Sequence, residues 1–124
     1  MPPRTDETTA LLMRARGLLE RGWCRGWLAV DANANPVDPT DSSAAAWCAN
    51  GALIAAGMAE PSDLSTLRFM THPAYLRLKT AVGDTLVGFF NNGQKTVEPV
   101  LAAFDRAIAG QSAEGALHPS KTEG

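Results

Sequence analysis

The run Ser43-Ala44-Ala45-Ala46-Trp47-Cys48-Ala49-Asn50-Gly51-Ala52-Leu53-Ile54-Ala55-Ala56-Gly57 is apolar over the length of a helix, with Asn50 its one polar interruption. A helix that is apolar on nearly every side has to be buried. At roughly 14 residues it falls short of the ~20 needed to cross a bilayer, so it reads as the central helix of a soluble core. Gly51, four residues after Trp47, costs such a helix about 1 kcal/mol relative to alanine, which implies that another backbone passes close by. Trp47 is expected to fill the space between a hairpin and the last helix, with one partner for its indole N–H.

The chain has 124 residues, room for one domain, which the sequence places at residues 1–110 with a polar, small-residue tail from about Gln111 to Gly124. Hydrophobic residues make up 45% against 19% charged, and mean hydropathy is -0.10, enough apolar material for a core without disulfide or metal. A net charge of -2 offers no global attraction to a phosphate backbone, which argues against nucleic acid as partner. The N-terminus, Met1 to Glu7, is rich in proline and acid and carries no apolar signal core, so the expected location is the cytoplasm, away from any membrane.

Around the central run the periodicity predicts further helices. Leu11, Leu12, Ala15, Leu18 and Leu19 form an apolar stripe over about Asp6 to Arg21, stopped by Gly22. Gly26 to Val30 leads through Asp31-Ala32-Asn33-Ala34-Asn35 to Pro36-Val37, the pattern of a short hairpin. Pro61-Ser62-Asp63 starts a third helix carrying Leu64 and Leu67, and Pro73 starts a fourth with Tyr75, Leu76, Leu78 and Val82. Asn91-Asn92-Gly93 closes the Leu86 to Phe90 segment with residues that readily adopt positive φ. Val97, Val100, Leu101, Phe104 and Ile108 stripe the last helix, with Thr96 as its cap and Gly110 as its stop. The expected fold is mainly α: about five helices around a central buried one, with one short β-hairpin.

The segments Gly22-Trp23, Leu28-Ala29-Val30-Asp31, Ala46-Trp47-Cys48-Ala49-Asn50-Gly51-Ala52-Leu53 and Val100 to Ile108 together resemble a bacterial and phage family of small proteins catalogued as domain-of-unknown-function family 6197. Similar proteins tend to carry Trp-Asn-Asp before the last helix, where this chain has Phe90-Asn91-Asn92. The resemblance implies an architecture and a bacterial or phage setting, and no reaction.

No paired-carboxylate motif, phosphate-cradling glycine loop or nucleophile elbow occurs, so no cofactor or metal is expected. The strongest candidate surface is Arg21-Gly22-Trp23-Cys24-Arg25-Gly26-Trp27, where Arg21, Trp23, Arg25 and Trp27 alternate in a composition enriched at binding sites, with Arg14 and Arg16 as extensions. The structural alternative packs the tryptophans under the turn with arginines across their faces. A second candidate is a small-ligand or catalytic pocket using Cys48, His72, Asn91 and Asn92, which requires something to lower the Cys48 pKa. Placed a turn inside an alanine-rich helix, Cys48 reads instead as inert core, and His72 as a capping residue. Asp31, Asn33 and Asn35 lack the remaining ligands of a calcium loop and read as a turn. The expected function is an accessory or inhibitory protein that binds another protein, one form being a phage-encoded inhibitor of a host system; nucleic-acid binding by the Arg21 to Trp27 patch is the third reading.

Overall fold

In a computed structural model, residues 7–57 and 71–110 are described. Five helices and one two-stranded antiparallel sheet follow in the order α1 (Glu7–Arg21), β1 (Ala29–Val30), β2 (Ala46–Trp47), α2 (Ala49–Ala55), α3 (Pro73–Ala81), α4 (Val87–Asn92) and α5 (Glu98–Ala109). The fold is mainly α, as the sequence predicts. The predicted helix at 61–70 and the tail from Gln111 fall outside the described residues.

α1, α3 and α5 pack on one another, and α2 lies across α1 with α4 and β2 against it. Most of the apolar positions anticipated above face inward: Leu12, Leu19, Leu53, Ile54, Tyr75, Leu78, Val87, Val100 and Phe104 are all at most 2% exposed, whereas Leu76, read with Tyr75 and Leu78, turns outward at 47% because it lies one position off their helical stripe. Each fully buried large side chain contributes about 1.5–3 kcal/mol through the apolar surface it removes from water.

Three arginines close helix ends on neighbouring elements. Arg14 of α1 donates to the Ala56 carbonyl just past α2, Arg77 of α3 to the Ala107 and Ile108 carbonyls of α5, and Arg106 of α5 to the Ala81 carbonyl of α3. The last carbonyls of a helix lack intrahelical donors and sit at the negative end of its dipole, so a guanidinium answers both needs at once. Arg16 pairs with Glu20 and Asp105, and the Asp105 hydrogen bond raises its pKa further. Arg14 and Arg16 therefore serve helix packing and do not extend the Arg21 to Trp27 patch.

The central run departs most from its sequence reading. Ala46 and Trp47 are strand, Cys48 is the N-cap, and only Ala49–Ala55 is helical. Alanine's helix propensity of a few tenths of a kcal/mol per residue is overridden by tertiary pairing. Asp41 accepts from the Ser43 amide and hydroxyl, holding 41–44 as a turn, and Ala45 then donates to the Val30 carbonyl. Trp47 binds on both edges, pairing antiparallel with Ala29 of β1 and forming a parallel bridge with Trp23. Its indole donates to the Pro39 carbonyl at 3.0 Å, and α1 and α2 pack against β2.

The Asp31 to Asn35 turn forms as predicted, with the Asp31 carboxylate accepting from the Asn33 and Asn35 amides and a bridge from Val30 to Pro36. The sheet proper, however, pairs β1 with the later β2. Two more corrections concern α4 and α5. Asn91 and Asn92 are the last turn of α4 and Gly93 keeps a helical φ of -83°, so no positive φ occurs there. The N-cap of α5 is Val97, with no side-chain cap from Thr96, while Gly110 closes it at φ 78° as expected.

Gly51 and Gly22 show why glycine is required at those places. A Cβ on Gly51 would overlap the Leu28 carbonyl, and one on Gly22 the Ala45 carbonyl. The close backbone approach inferred for Gly51 is that of Leu28, just before β1.

Candidate functional site

The corner between α1 and β1 is tied to α4 by one side chain. Asn91, fully buried, accepts through Oδ1 from the Trp23 indole at 2.8 Å and from the Ala49 amide at 3.0 Å. Its Nδ2 donates to the Cys24 carbonyl at 3.2 Å and to Asn92 Oδ1 at 3.3 Å. Both lone-pair directions and both amide hydrogens are used, the full capacity of an asparagine side chain. The Ala49 amide is a free donor of the first turn of α2, so Asn91 also completes the start of that helix. Asn92 accepts from the Gly26 amide at 3.0 Å, and Arg25 donates to the Gln94 carbonyl at 2.8 Å.

This network sorts the predicted surface residues. The Trp23 indole is half-buried and engaged with Asn91, with the Arg25 guanidinium 5.9 Å from its ring centre. Arg21 covers Trp47 at the same distance, a pairing the spacing of the segment did not suggest. Trp27 stands free at 57% exposure, and Phe89, one turn before Asn92 on α4, is 71% exposed. Arg21 and Arg25 are exposed and form no ion pair among the described residues. Two exposed aromatic side chains and two guanidinium groups without ion-pair partners, on segments joined by the Asn91 and Asn92 hydrogen bonds, have the composition of a binding hot spot.

The second candidate set is divided. Asn91 reaches the Ala49 amide beside Cys48 at the start of α2, and Asn92 is bonded to Asn91. His72 is the N-cap of α3, its Nδ1 accepting from the Ala74 amide at 3.0 Å, as its capping role predicts. It lines a separate open cavity of about 520 Å³ whose walls include Glu7, Leu11, Arg14 and Gly57. Neither Cys48 nor Asn91 lines that cavity.

The Cys48 thiol has the helix-start position that often lowers a thiol pKa, and its Sγ accepts from the Gly51 amide at 3.3 Å. Burial outweighs that help, pushing its pKa up, with the backbone amides of Gly51, Asn50 and Cys48 itself pulling the other way. Desolvation of the thiolate exceeds what one short turn of amides returns, which leaves Cys48 without the marks of an activated nucleophile. Cys24 is pushed up to about 11 by burial and then by Cys48 nearby. Among the described residues no group of three or more His, Cys, Asp or Glu is placed to hold a metal, and no helix is long and apolar enough to cross a membrane.

What fold and site define together is a small, mainly helical domain with a rigid aromatic and basic corner. The chain belongs to the family of unknown function DUF6197, whose model matches residues 3–110. No curated protein and no solved structure matches it.

Proposed function

We propose that this protein works by binding another protein through the corner formed by Arg21, Arg25, Trp27 and Phe89, as an accessory or inhibitory module. The observation behind this reading is the exposure of Trp27 and Phe89, at 57% and 71%, on a backbone held from beneath by Asn91 and Asn92. Exposed aromatics on a rigid frame lose little conformational freedom on binding, so more of their apolar contact appears as affinity. Trp23 belongs to the frame, while Trp27 and Phe89 are the anchors and the two arginines orient an acidic rim on the partner.

The test places a photo-crosslinking residue at position 27 in the native host and, as control, at Met13, which is 53% exposed on α1. The expected outcome is a partner protein captured from position 27 and not from position 13, with capture lost when Arg21 and Arg25 are both changed to alanine. Equal capture from both positions, or none from position 27, would discard the reading.

A further inference from the structure

The two cysteines lie far apart in sequence and side by side in the fold. The parallel bridge between Trp23 and Trp47 is made by the Trp47 amide on the Gly22 carbonyl at 3.1 Å and the Cys24 amide on the Trp47 carbonyl at 3.0 Å. One step along that register, Cys24 stands opposite Cys48. In parallel pairing, residues in register project to the same face, here the one opposite the two tryptophans. Strands bonded in this way run about 4.8 Å apart, near the short end of the ~4.4–6.8 Å Cα separation that a disulfide spans, and the two backbones part just beyond the cysteines, where the Asn91 amide inserts between the Cys24 carbonyl and the Ala49 amide.

Both cysteines also make contact with one backbone stretch, Cys24 through its thiol and Cys48 through its amide. The Cys24 thiol donates to the Trp27 carbonyl at 3.5 Å, the Cys48 amide donates to the neighbouring Leu28 carbonyl at 3.1 Å, and Cys48 Sγ is held by Gly51, whose Cα packs on Leu28. We propose that Cys24 and Cys48 are a dithiol pair that closes to an intrachain disulfide on the folded protein when it meets a small disulfide oxidant of the glutathione type.

The half-exposed Cys24 is the point of entry. Its thiolate attacks one sulfur of oxidised glutathione, forming a mixed disulfide and releasing one glutathione thiolate, which takes up the proton that Cys24 lost. Cys48, deprotonated in turn, attacks the Cys24 sulfur and expels the second glutathione. Two protein thiols are oxidised and one glutathione disulfide is reduced to two thiols, so atoms and electrons balance. Because Cys24 is pushed up to about 11, closure near neutral pH is slow and accelerates with rising pH. The inference stands independently of partner binding.

Equilibration of the full chain with reduced and oxidised glutathione, in buffer and again in urea, tests it. The expected species in buffer is a monomer lighter by two hydrogens, with a peptide map joining the segments that contain Cys24 and Cys48. Its closure constant should exceed the value in urea by about tenfold or more, because the fold replaces the millimolar effective concentration of a flexible loop with a set geometry. A closure constant in buffer equal to or below that in urea would overturn the proposal, and so would glutathione adducts or intermolecular dimers as the main products.

Discussion

The helical side of the molecule, where α1, α3 and α5 meet, and the corner, where residues 22–24, β2 and α4 meet, are held by different forces. On the helical side Leu12, Leu19, Leu78, Val100 and Phe104 form the buried core at helical spacing, and the polar contacts lie around it, where arginines meet helix-end carbonyls and Arg16 pairs with Asp105. At the corner a single asparagine fills four hydrogen-bond positions, two glycines admit backbones, and strand pairing holds β2 from both edges. Apolar packing tolerates exchange of one hydrophobic residue for another of similar size. A buried polar network does not, since each lost partner leaves a donor or acceptor dry.

Substitutions should separate the two regions. The largest effect is expected from Gly51→Ala, where the new methyl group overlaps the Leu28 carbonyl and neither backbone can yield without parting Leu28 from α2. A loss of about 3 kcal/mol or more is expected in urea denaturation, despite alanine's higher helix propensity. Retained stability would mean that the Leu28 backbone does not press on α2. Next comes Asn91→Ala, which strands the Trp23 indole, the Ala49 amide and the Cys24 carbonyl and should cost about 3 kcal/mol. Phe104→Leu, the equivalent trespass on the helical side, should cost less, about 1.5 kcal/mol or under. Reversal of that order would erase the distinction between the regions.

A smaller effect separates the regions by pH. The Cys24 pKa rises from 9.0 to about 11 on folding because burial penalises the thiolate. The folded state therefore favours the protonated thiol. This contribution is complete below about pH 9 and is lost as pH climbs through about 11. Denaturation midpoints of the wild type and Cys24→Ala, followed from pH 7 upward, should draw together across that window. Divergence there would reverse the sign and indicate a pocket that welcomes the thiolate.

The smallest effect is expected for Asn92→Asp. Asn92 uses its Oδ1 to accept from the Gly26 amide and from Asn91, and a carboxylate oxygen accepts equally well. Stability should stay within about 0.5 kcal/mol of the wild type. A substantial loss would show that the Asn92 amide makes a contact the carboxylate cannot.

The helical side was legible in the sequence because its information is local: stripes at 3.6-residue spacing, Pro73 at a helix start, His72 as cap, Gly110 at φ 78°. The corner was only partly legible. Gly51 signalled a close approach, since an interior glycine calls for a reason, and the Asp31 turn followed from its residue types. Nothing local in Asn91, however, announces that Trp23, Cys24, Ala49 and Asn92 will surround it. The Cys24 and Cys48 juxtaposition is equally silent, because it depends on a bridge between residues 23 and 47 that no short pattern encodes. The alanine run misled for the same reason, its modest helix preference yielding to strand pairing at Ala46 and Trp47 and to the Asp41 turn.

The chain by itself determined that α1, α3 and α5 form, which faces they bury and where they stop, since these depend on spacing and caps within a few residues, whereas α4 was not read as a helix. Tertiary structure decided where the alanine run turns from strand into helix, which tryptophan is sealed against Asn91 and which stands in solvent, and that the two thiols are neighbours. Those outcomes rest on hydrogen bonds and backbone contacts between segments distant in sequence, whose geometry exists only once the helices have packed.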